Sequence, residues 1–151
     1  MLSELVVKEI YIDAPPQVVY EFLTDPVKVL RWMGVAAELD PRPGGLYRLD
    51  PNGRDVIRGK YLEVVPNSRV VFSWGYEAVG HSVPPGSTLV EISLEACARG
   101  TQLRLIHRNL PLEARDKHEF GWGHYLTRLR TVAEGGDPGH DPFSESSVRH
   151  G

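Results

Sequence analysis

The stretch LEARDKHEFGWGHYLTRLRTVAE (residues 112–134) decides the fold, because it is a long, proline-free segment with helical periodicity. Its apolar and aromatic positions recur every three or four residues, which places them on one face of a helix. These positions are His118, Trp122, Tyr125, Leu126, Leu129 and Val132. Pro111 suits the helix start, and the glycines at 135 and 136 suit its end. The pattern predicts one long C-terminal helix.

The segments before this helix favour strands. Residues 4–12 are rich in β-branched side chains, and residues 35–40, 46–50, 55–65, 69–76, 87–97 and 101–109 are further strand candidates separated by short turns. Short connections between successive strands are typical of an antiparallel meander. Asp13 ahead of two prolines predicts the N-cap of a short helix, and Asp25 ahead of Pro26 predicts a second. The predicted order is β-αα-β6-α, an α+β fold.

Length and charge limit the classes of function. The chain has 151 residues, 17 basic and 20 acidic, with a net charge of −3. One domain is expected, and a surface without a basic stripe argues against nucleic-acid and membrane binding. Cys97 is the single cysteine, so no internal disulfide is expected. With no signal peptide or apolar span in the sequence, a cytoplasmic location is the default.

The C-terminal residues differ in composition from the rest. Residues 137–151 are polar and rich in Pro, Gly and Ser, with Phe143 and Val148 as the large apolar exceptions. Such composition predicts a disordered tail after a domain formed by residues 1–136. Phe143 could dock on a second subunit, which leaves a homodimer with exchanged tails as one hypothesis.

Several motifs, in order, resemble a known family. They are residues 12–25 (IDAPPQVVYEFLTD), 30–33 (LRWM), 43–47 (PGGLY), 86–92 (GSTLVEI), 101–107 (TQLRLIH) and 118–122 (HEFGW). Together they resemble the START-like (SRPBCC) superfamily, and more narrowly the proteins related to the activator of the heat-shock-protein-90 ATPase. The resemblance implies the helix-grip fold, a curved antiparallel sheet wrapped around the C-terminal helix, with a cavity between them. It implies no single reaction, because members include chaperone activators, lipid binders and polyketide cyclases.

Aromatic and histidine residues are the candidates for lining that cavity. Aromatic walls suit a small-molecule site, since they offer large rigid apolar surfaces with a few polar groups. For any one tryptophan alone, core packing is the favoured interpretation, and the group is better evidence than any member. The predicted ligand-contacting set is Trp32, Tyr47, Phe72, Trp74, Ile92, Leu105, His107, His118, Trp122 and Tyr125. The glycines at 121 and 123 flank Trp122, and they indicate either close helix–sheet contact, space for a ligand, or a kink or later start of the helix.

Catalytic and metal signatures are weak. His118 and His124 are six residues apart, which is not the spacing of ligands on one helical face. No phosphate loop, nucleophile elbow or paired-carboxylate motif is present, so neither a cofactor nor a metal is expected. Arg48, Arg58 and Arg104 alternate with apolar residues on strands, as does Arg108, and this pattern predicts a charged outer face.

Three functions remain open from the sequence. The first is a binding protein for a small, largely apolar molecule, with no catalytic residue assigned. The second is a cyclase- or hydrolase-like enzyme using His107 or His118 together with Tyr47 or Tyr125. The third is a protein-interaction module, either associated with a chaperone or formed as a homodimer.

Overall fold

The computed structural model describes residues 5–145 and contains the predicted elements in the predicted order. They are β1 (Val6–Ile12), α1 (Pro16–Thr24), α2 (Pro26–Val29), β2 (Ala36–Leu39), β3 (Leu46–Asp50), β4 (Ile57–Val65), β5 (Arg69–Trp74), β6 (Thr88–Cys97), β7 (Gly100–Arg108) and α3 (Leu112–Ala133). A short 3-10 turn, Pro142–Ser144, follows α3. The α+β helix-grip prediction is therefore confirmed.

The strands form one curved, seven-stranded antiparallel sheet in the order β1-β7-β6-β5-β4-β3-β2. Consecutive strands from β2 to β7 are neighbours, as short turns require. β1, the first strand of the chain, lies at the edge of the sheet and pairs with β7, the last strand. In this pairing Val6 lies opposite His107 and Ile12 opposite Thr101. The closing helix packs on β1, and its Trp122 reaches Trp74 of β5 and His107 of β7.

One face of α3 is buried, and it is the face that the periodicity predicts. Trp122, Leu126, Leu129 and Val132 are all 4% exposed or less. Full burial of such side chains contributes roughly 1.5–3 kcal/mol each. The helix runs from Leu112 to Ala133 and includes both glycines, so the alternative of a later start is wrong.

Helix capping agrees with the sequence at one site and differs at another. Asp25 caps α2 as predicted, because its Oδ1 accepts hydrogen bonds from the backbone N–H groups of Val27 and Lys28. Asp13 does not cap α1. Pro15 is extended and occupies the N-cap position, so α1 begins at Pro16, beyond the reach of the Asp13 side chain.

Strand ends agree with the predictions to within one or two residues, and residue 4 lies outside the described part of the chain. The four strand arginines bear the charges of the outer face, as predicted. Arg48 and Arg58 pair with Glu77, Arg104 pairs with Glu9, and Arg108 pairs with Glu91.

Cys97 is exposed and unpaired. No helix in residues 5–145 is long and apolar enough to cross a membrane.

Candidate functional site

A cleft of about 640 Å³ lies between the first half of α3 and the end of β5. This volume falls within the ordinary range for small-molecule sites. Its apolar and aromatic lining comes from α3, β5 and the loops beside them, while Arg54, Glu113 and Lys117 are exposed charged residues of the lining. The cleft therefore combines an aromatic interior with a charged mouth.

Two tryptophans form the inner wall of the cleft. Trp74, the last residue of β5, and Trp122, from the middle of α3, have ring centroids 5.2 Å apart. Both side chains are almost fully buried. Alternation along β5 places Phe72 on the same side as Trp74, and Tyr47 stacks on Phe72 at 4.0 Å. The inner wall is thus continuous with the aromatic core of the sheet.

His107 is fully buried behind the two tryptophans and serves as a hydrogen-bond connector. Its Nδ1 accepts from Trp122 Nε1 at 3.0 Å, and its Nε2 lies 2.8 Å from Thr88 Oγ1, whose hydroxyl donates to the Trp74 carbonyl. Because an indole nitrogen can only donate, the His107 proton must reside on Nε2. Burial lowers the pKa of His107 to about 3, so this imidazole is neutral near pH 7.

His118 and Tyr76 form a second polar pair, and both line the cleft. His118 Nδ1 donates to the Ala114 carbonyl at 2.8 Å, one turn earlier in α3. Nε2 is therefore the acceptor, and the Tyr76 hydroxyl donates to it at 3.1 Å. Burial lowers the pKa of His118 and raises the pKa of Tyr76 to about 12. Both groups are consequently uncharged near neutral pH.

The three indole N–H groups differ in their partners. Trp32 Nε1 donates to the Phe22 carbonyl at 2.9 Å, and Trp122 Nε1 donates to His107. Trp74 Nε1 is shielded from solvent and has no hydrogen-bond partner among the described residues. The Tyr76 hydroxyl lies beside this indole, which acts to lower the Tyr76 pKa against the larger effect of burial, but the two groups do not meet hydrogen-bond geometry. One buried donor beside the cleft is thus unsatisfied.

Two glycines shape the cleft. A Cβ at Gly75 would lie 1.9 Å from the Pro84 carbonyl oxygen, so only glycine lets the 80–86 loop approach the end of β5 and hold Tyr76. Gly121, by contrast, lies beside open space. A Cβ at this position would meet nothing within 4 Å, and Gly121 lines the cleft. Of the sequence alternatives for this glycine, space beside the helix is the one observed.

Residues 137–145 lie against α3 and supply the outer wall of the cleft through Pro142, Phe143 and Glu145. Asp141, almost fully buried, accepts hydrogen bonds from His124 Nε2 and from the Phe143 backbone N–H. The Phe143 ring stacks on His124 at 3.9 Å. The remainder of the predicted disordered tail, 146–151, lies outside the described residues, and the domain boundary at 136 stays a prediction.

Four of the ten predicted contact residues line this cleft, and six do not. Trp74, His118, Trp122 and Tyr125 are the four. The six others lie in the packed core: Trp32, Tyr47, Phe72, Ile92, Leu105 and His107. Their predicted role as ligand contacts stays a prediction, and in the described structure they support the inner wall from behind.

Tyr76 and Phe143 are the principal lining residues that the predicted set missed. Tyr76 stands two positions after Trp74, so the period of two along the extended chain was a signal for it. Phe143 was a large apolar residue in a polar tail, yet nothing in the sequence places it beside α3. The hydroxyl partner of His118 is Tyr76, and the use of His107 or His118 with Tyr47 or Tyr125 in catalysis stays a hypothesis.

Among residues 5–145 no group of three or more His, Cys, Asp or Glu side chains is arranged to hold a metal ion. The interior of the cleft offers aromatic surface, the uncharged Tyr76–His118 pair and one unpaired N–H, and its mouth carries charged side chains.

The architecture and the cleft define the class of protein: a helix-grip domain of the START-like (SRPBCC) superfamily. Residues 13–134 match the family model described as activator of Hsp90 ATPase homolog 1-like protein, and the chain belongs to that family. The matched region ends before residues 137–145. The outer wall of the cleft is therefore built by a segment beyond the family match.

Individual relatives agree with this membership. The solution structure of an AHSA1-like protein from Rhizobium etli is 49% identical, with a TM-score of 0.74, over 92% of this chain and 87% of that one. DynU16, a protein from the dynemicin biosynthetic locus, is 26% identical with a TM-score of 0.78, over 89% of this chain and 49% of its own. A curated protein from Schizosaccharomyces pombe, itself uncharacterised, is 26% identical over 80% of this chain. This chain spans only about a third (34%) of that protein's length.

Proposed function

We propose that this protein binds a small, largely apolar molecule in the cleft between α3 and β5. The observation that carries the proposal is the open space beside Gly121, where a helix residue lacks a side chain next to an aromatic wall. Glycine within a helix costs roughly 0.5–1 kcal/mol relative to alanine. An occupant of the space would offset that cost, since it would bury apolar surface of the lining that is exposed to solvent, above all the ring of Phe120, which is 70% exposed.

A matched pair of glycine variants tests the proposal. Gly121→Leu places a side chain in the cleft, whereas Gly123→Leu places one toward Lys8, outside the cleft lining. Fluorescence titration with the uncharged apolar probe N-phenyl-1-naphthylamine should show saturable binding to the wild type. We expect Gly121→Leu to weaken it at least tenfold and Gly123→Leu to leave it unchanged. Equal effects of both variants, or no saturable binding to the wild type, would contradict the proposal.

Thermal-shift screening with a panel of lipids and metabolites, followed by native mass spectrometry, extends the same test toward natural ligands. A compound that raises the melting temperature of the wild type but not of Gly121→Leu acts through the cleft. A compound that shifts both equally binds elsewhere.

An enzymatic role is the second candidate, and the Tyr76–His118 pair favours it. His118 Nε2 is an unprotonated acceptor directed at a hydroxyl inside the cleft, an arrangement that general bases use. Hydrolysis of 2-naphthyl acetate by the wild type, His118→Gln and Tyr76→Phe tests this role. Saturable turnover that both variants abolish supports catalysis, and equal rates in all three proteins contradict it.

The cytoplasmic location and the homodimer remain predictions. In the described structure the segment ending at residue 145 packs on its own α3, through His124 and Asp141. A size measurement in solution, with and without residues 137–151, tests a tail-exchanged dimer, since truncation would then convert a dimer into a monomer.

A further inference from the structure

We propose that the molecule bound in this cleft is an uncharged aromatic compound with an oxygen that accepts a hydrogen bond from Trp74 Nε1. The inference rests on the proposed binding function and specifies the chemistry of the ligand. It follows from the hydrogen-bond inventory of the inner wall, from the charge of the neighbouring groups, and from the ring surfaces that line the cleft.

Among the hydrogen-bond donors of the inner wall, one lacks an acceptor. In the first network the Trp122 indole donates to His107, His107 donates to Thr88, and Thr88 donates to the Trp74 carbonyl. Each donor in this first network therefore has an acceptor. No side-chain acceptor of this network remains for the Trp74 indole N–H.

Each donor of the second network also has an acceptor. The Tyr76 hydroxyl donates to His118 Nε2, and His118 Nδ1 donates to the Ala114 carbonyl. Trp74 Nε1 is thus a buried N–H without a partner in the described protein. Burying a donor unsatisfied is costly, and most such groups in proteins acquire a partner. A ligand that brings an acceptor oxygen satisfies this N–H without breaking either network.

The surroundings favour an uncharged ligand. Both imidazoles near Trp74 are neutral at neutral pH because burial disfavours their protonation. The charged residues of the lining include the exposed Arg54, Glu113 and Lys117. The half-buried Asp55 also lines the cleft, and its negative charge adds to the effect of burial in raising the pKa of Tyr76. A carboxylate at the inner wall would lose its hydration without meeting a cation, which is strongly unfavourable. A ketone, quinone or phenol oxygen accepts a hydrogen bond without this loss.

Aromatic surfaces surround the same space. Trp74 and Trp122 form its inner wall, and Tyr125, Phe120 and Phe143 line it further out. Rings pack well against rings in offset or edge-to-face arrangements. The cleft therefore suits a planar, fused-ring skeleton better than a flexible acyl chain.

Two shape-matched probes test the acceptor directly. 2-Acetylnaphthalene carries a carbonyl oxygen where 2-isopropenylnaphthalene carries a methylene group, and their affinities are measured by displacement of N-phenyl-1-naphthylamine. We expect the wild type to bind the ketone about tenfold more tightly. Trp74→Phe keeps an aromatic ring but removes the N–H, so the preference should fall to about one. 2-Naphthoate, which adds a negative charge, should bind more weakly than the ketone.

A measurement on the wild type makes the test independent of how well Trp74→Phe folds. The three indole N–H groups give separate ¹H–¹⁵N signals, and only the signal of Trp74 lacks a protein acceptor. The ketone should move that signal downfield, whereas the isopropenyl compound should not. Trp32→Phe serves as a control, because it removes an indole N–H that donates to the Phe22 carbonyl outside the cleft, and it should retain the preference for the ketone.

The outcomes separate this inference from the proposed function. Equal affinity for the two neutral probes, a preference that persists in Trp74→Phe, or tighter binding of 2-naphthoate would each overturn the inference and leave apolar ligand binding standing. Failure of N-phenyl-1-naphthylamine itself to bind would overturn the proposed function, and the inference with it.

Discussion

Lowering the pH from 7 to 5 should destabilise the protein through His107. The side chain is fully buried and burial lowers its pKa to about 3 in the folded state, whereas an unfolded histidine titrates near 6.5. The unfolded chain therefore binds the proton more tightly. The stabilisation from keeping this imidazole neutral is complete above pH 6.5 and is lost as the pH falls from 6.5 toward 3.

The size of the effect follows from the two pKa values. One pKa unit corresponds to about 1.4 kcal/mol, so the linkage between pH 7 and pH 5 amounts to roughly 2 kcal/mol of unfolding free energy. Burial lowers the pKa of His118 as well, which adds a loss of the same sign. The contribution of His107 must accordingly be isolated by a variant.

Urea denaturation of the wild type and of His107→Gln at pH 7 and pH 5 isolates the contribution of His107 to the unfolding free energy. The variant leaves either the buried Trp122 N–H or the buried Thr88 hydroxyl oxygen, which accepts from His107, less well paired, so it should be less stable at pH 7. Its further loss on going to pH 5 should be smaller than that of the wild type by about 2 kcal/mol. Long-range ¹H–¹⁵N spectra should also show the His107 proton on Nε2 at both pH values. The same pH-dependent loss in both proteins, or an imidazolium signal from folded His107 at pH 5, would refute the reasoning.

Three further outcomes are expected. Gly121→Ala should raise the unfolding free energy by about 0.5–1 kcal/mol, because the methyl group enters open space within a helix; a loss of stability in urea would contradict the described spacing. Asp25→Ala should lower it by about 1 kcal/mol, since Asp25 caps α2, and an unchanged melting temperature would count against that cap. Deleting residues 137–151 should weaken N-phenyl-1-naphthylamine binding several-fold by removing the Phe143 wall; unchanged affinity would show that the wall contributes nothing.

Local sequence signals predicted the elements because the causes of those elements are local. Prolines at the start of α1 and α2 and the period of three to four residues in α3 depend only on neighbouring positions. The misplaced cap at Asp13 shows the limit of such signals. A capping residue can be recognised by type, but the backbone angles of Pro15, which set the first helical turn at Pro16, are not encoded by the type of residue 13.

The candidate site was predicted only in part, for a physical reason. Alternation and helical periodicity indicate which side chains point inward, and Trp74, His118, Trp122 and Tyr125 were found in this way. Periodicity does not indicate whether an inward side chain meets another side chain or a void. Tyr47 and Phe72 satisfy the same pattern, yet they stack on each other at 4.0 Å and line no part of the cleft.

The sequence by itself determined the order of elements, the inward face of α3, the charged outer face of the sheet and the resemblance to the family. These properties follow from residue type and spacing along one chain. The tertiary structure decided which polar groups meet. Only the packing of α3 against β5 and β7 brings Trp122 to His107, turns His118 toward Tyr76, leaves the Trp74 N–H unpaired and folds Phe143 over the cleft. Contacts between residues far apart in the sequence depend on packing distances, and residue type does not specify those distances.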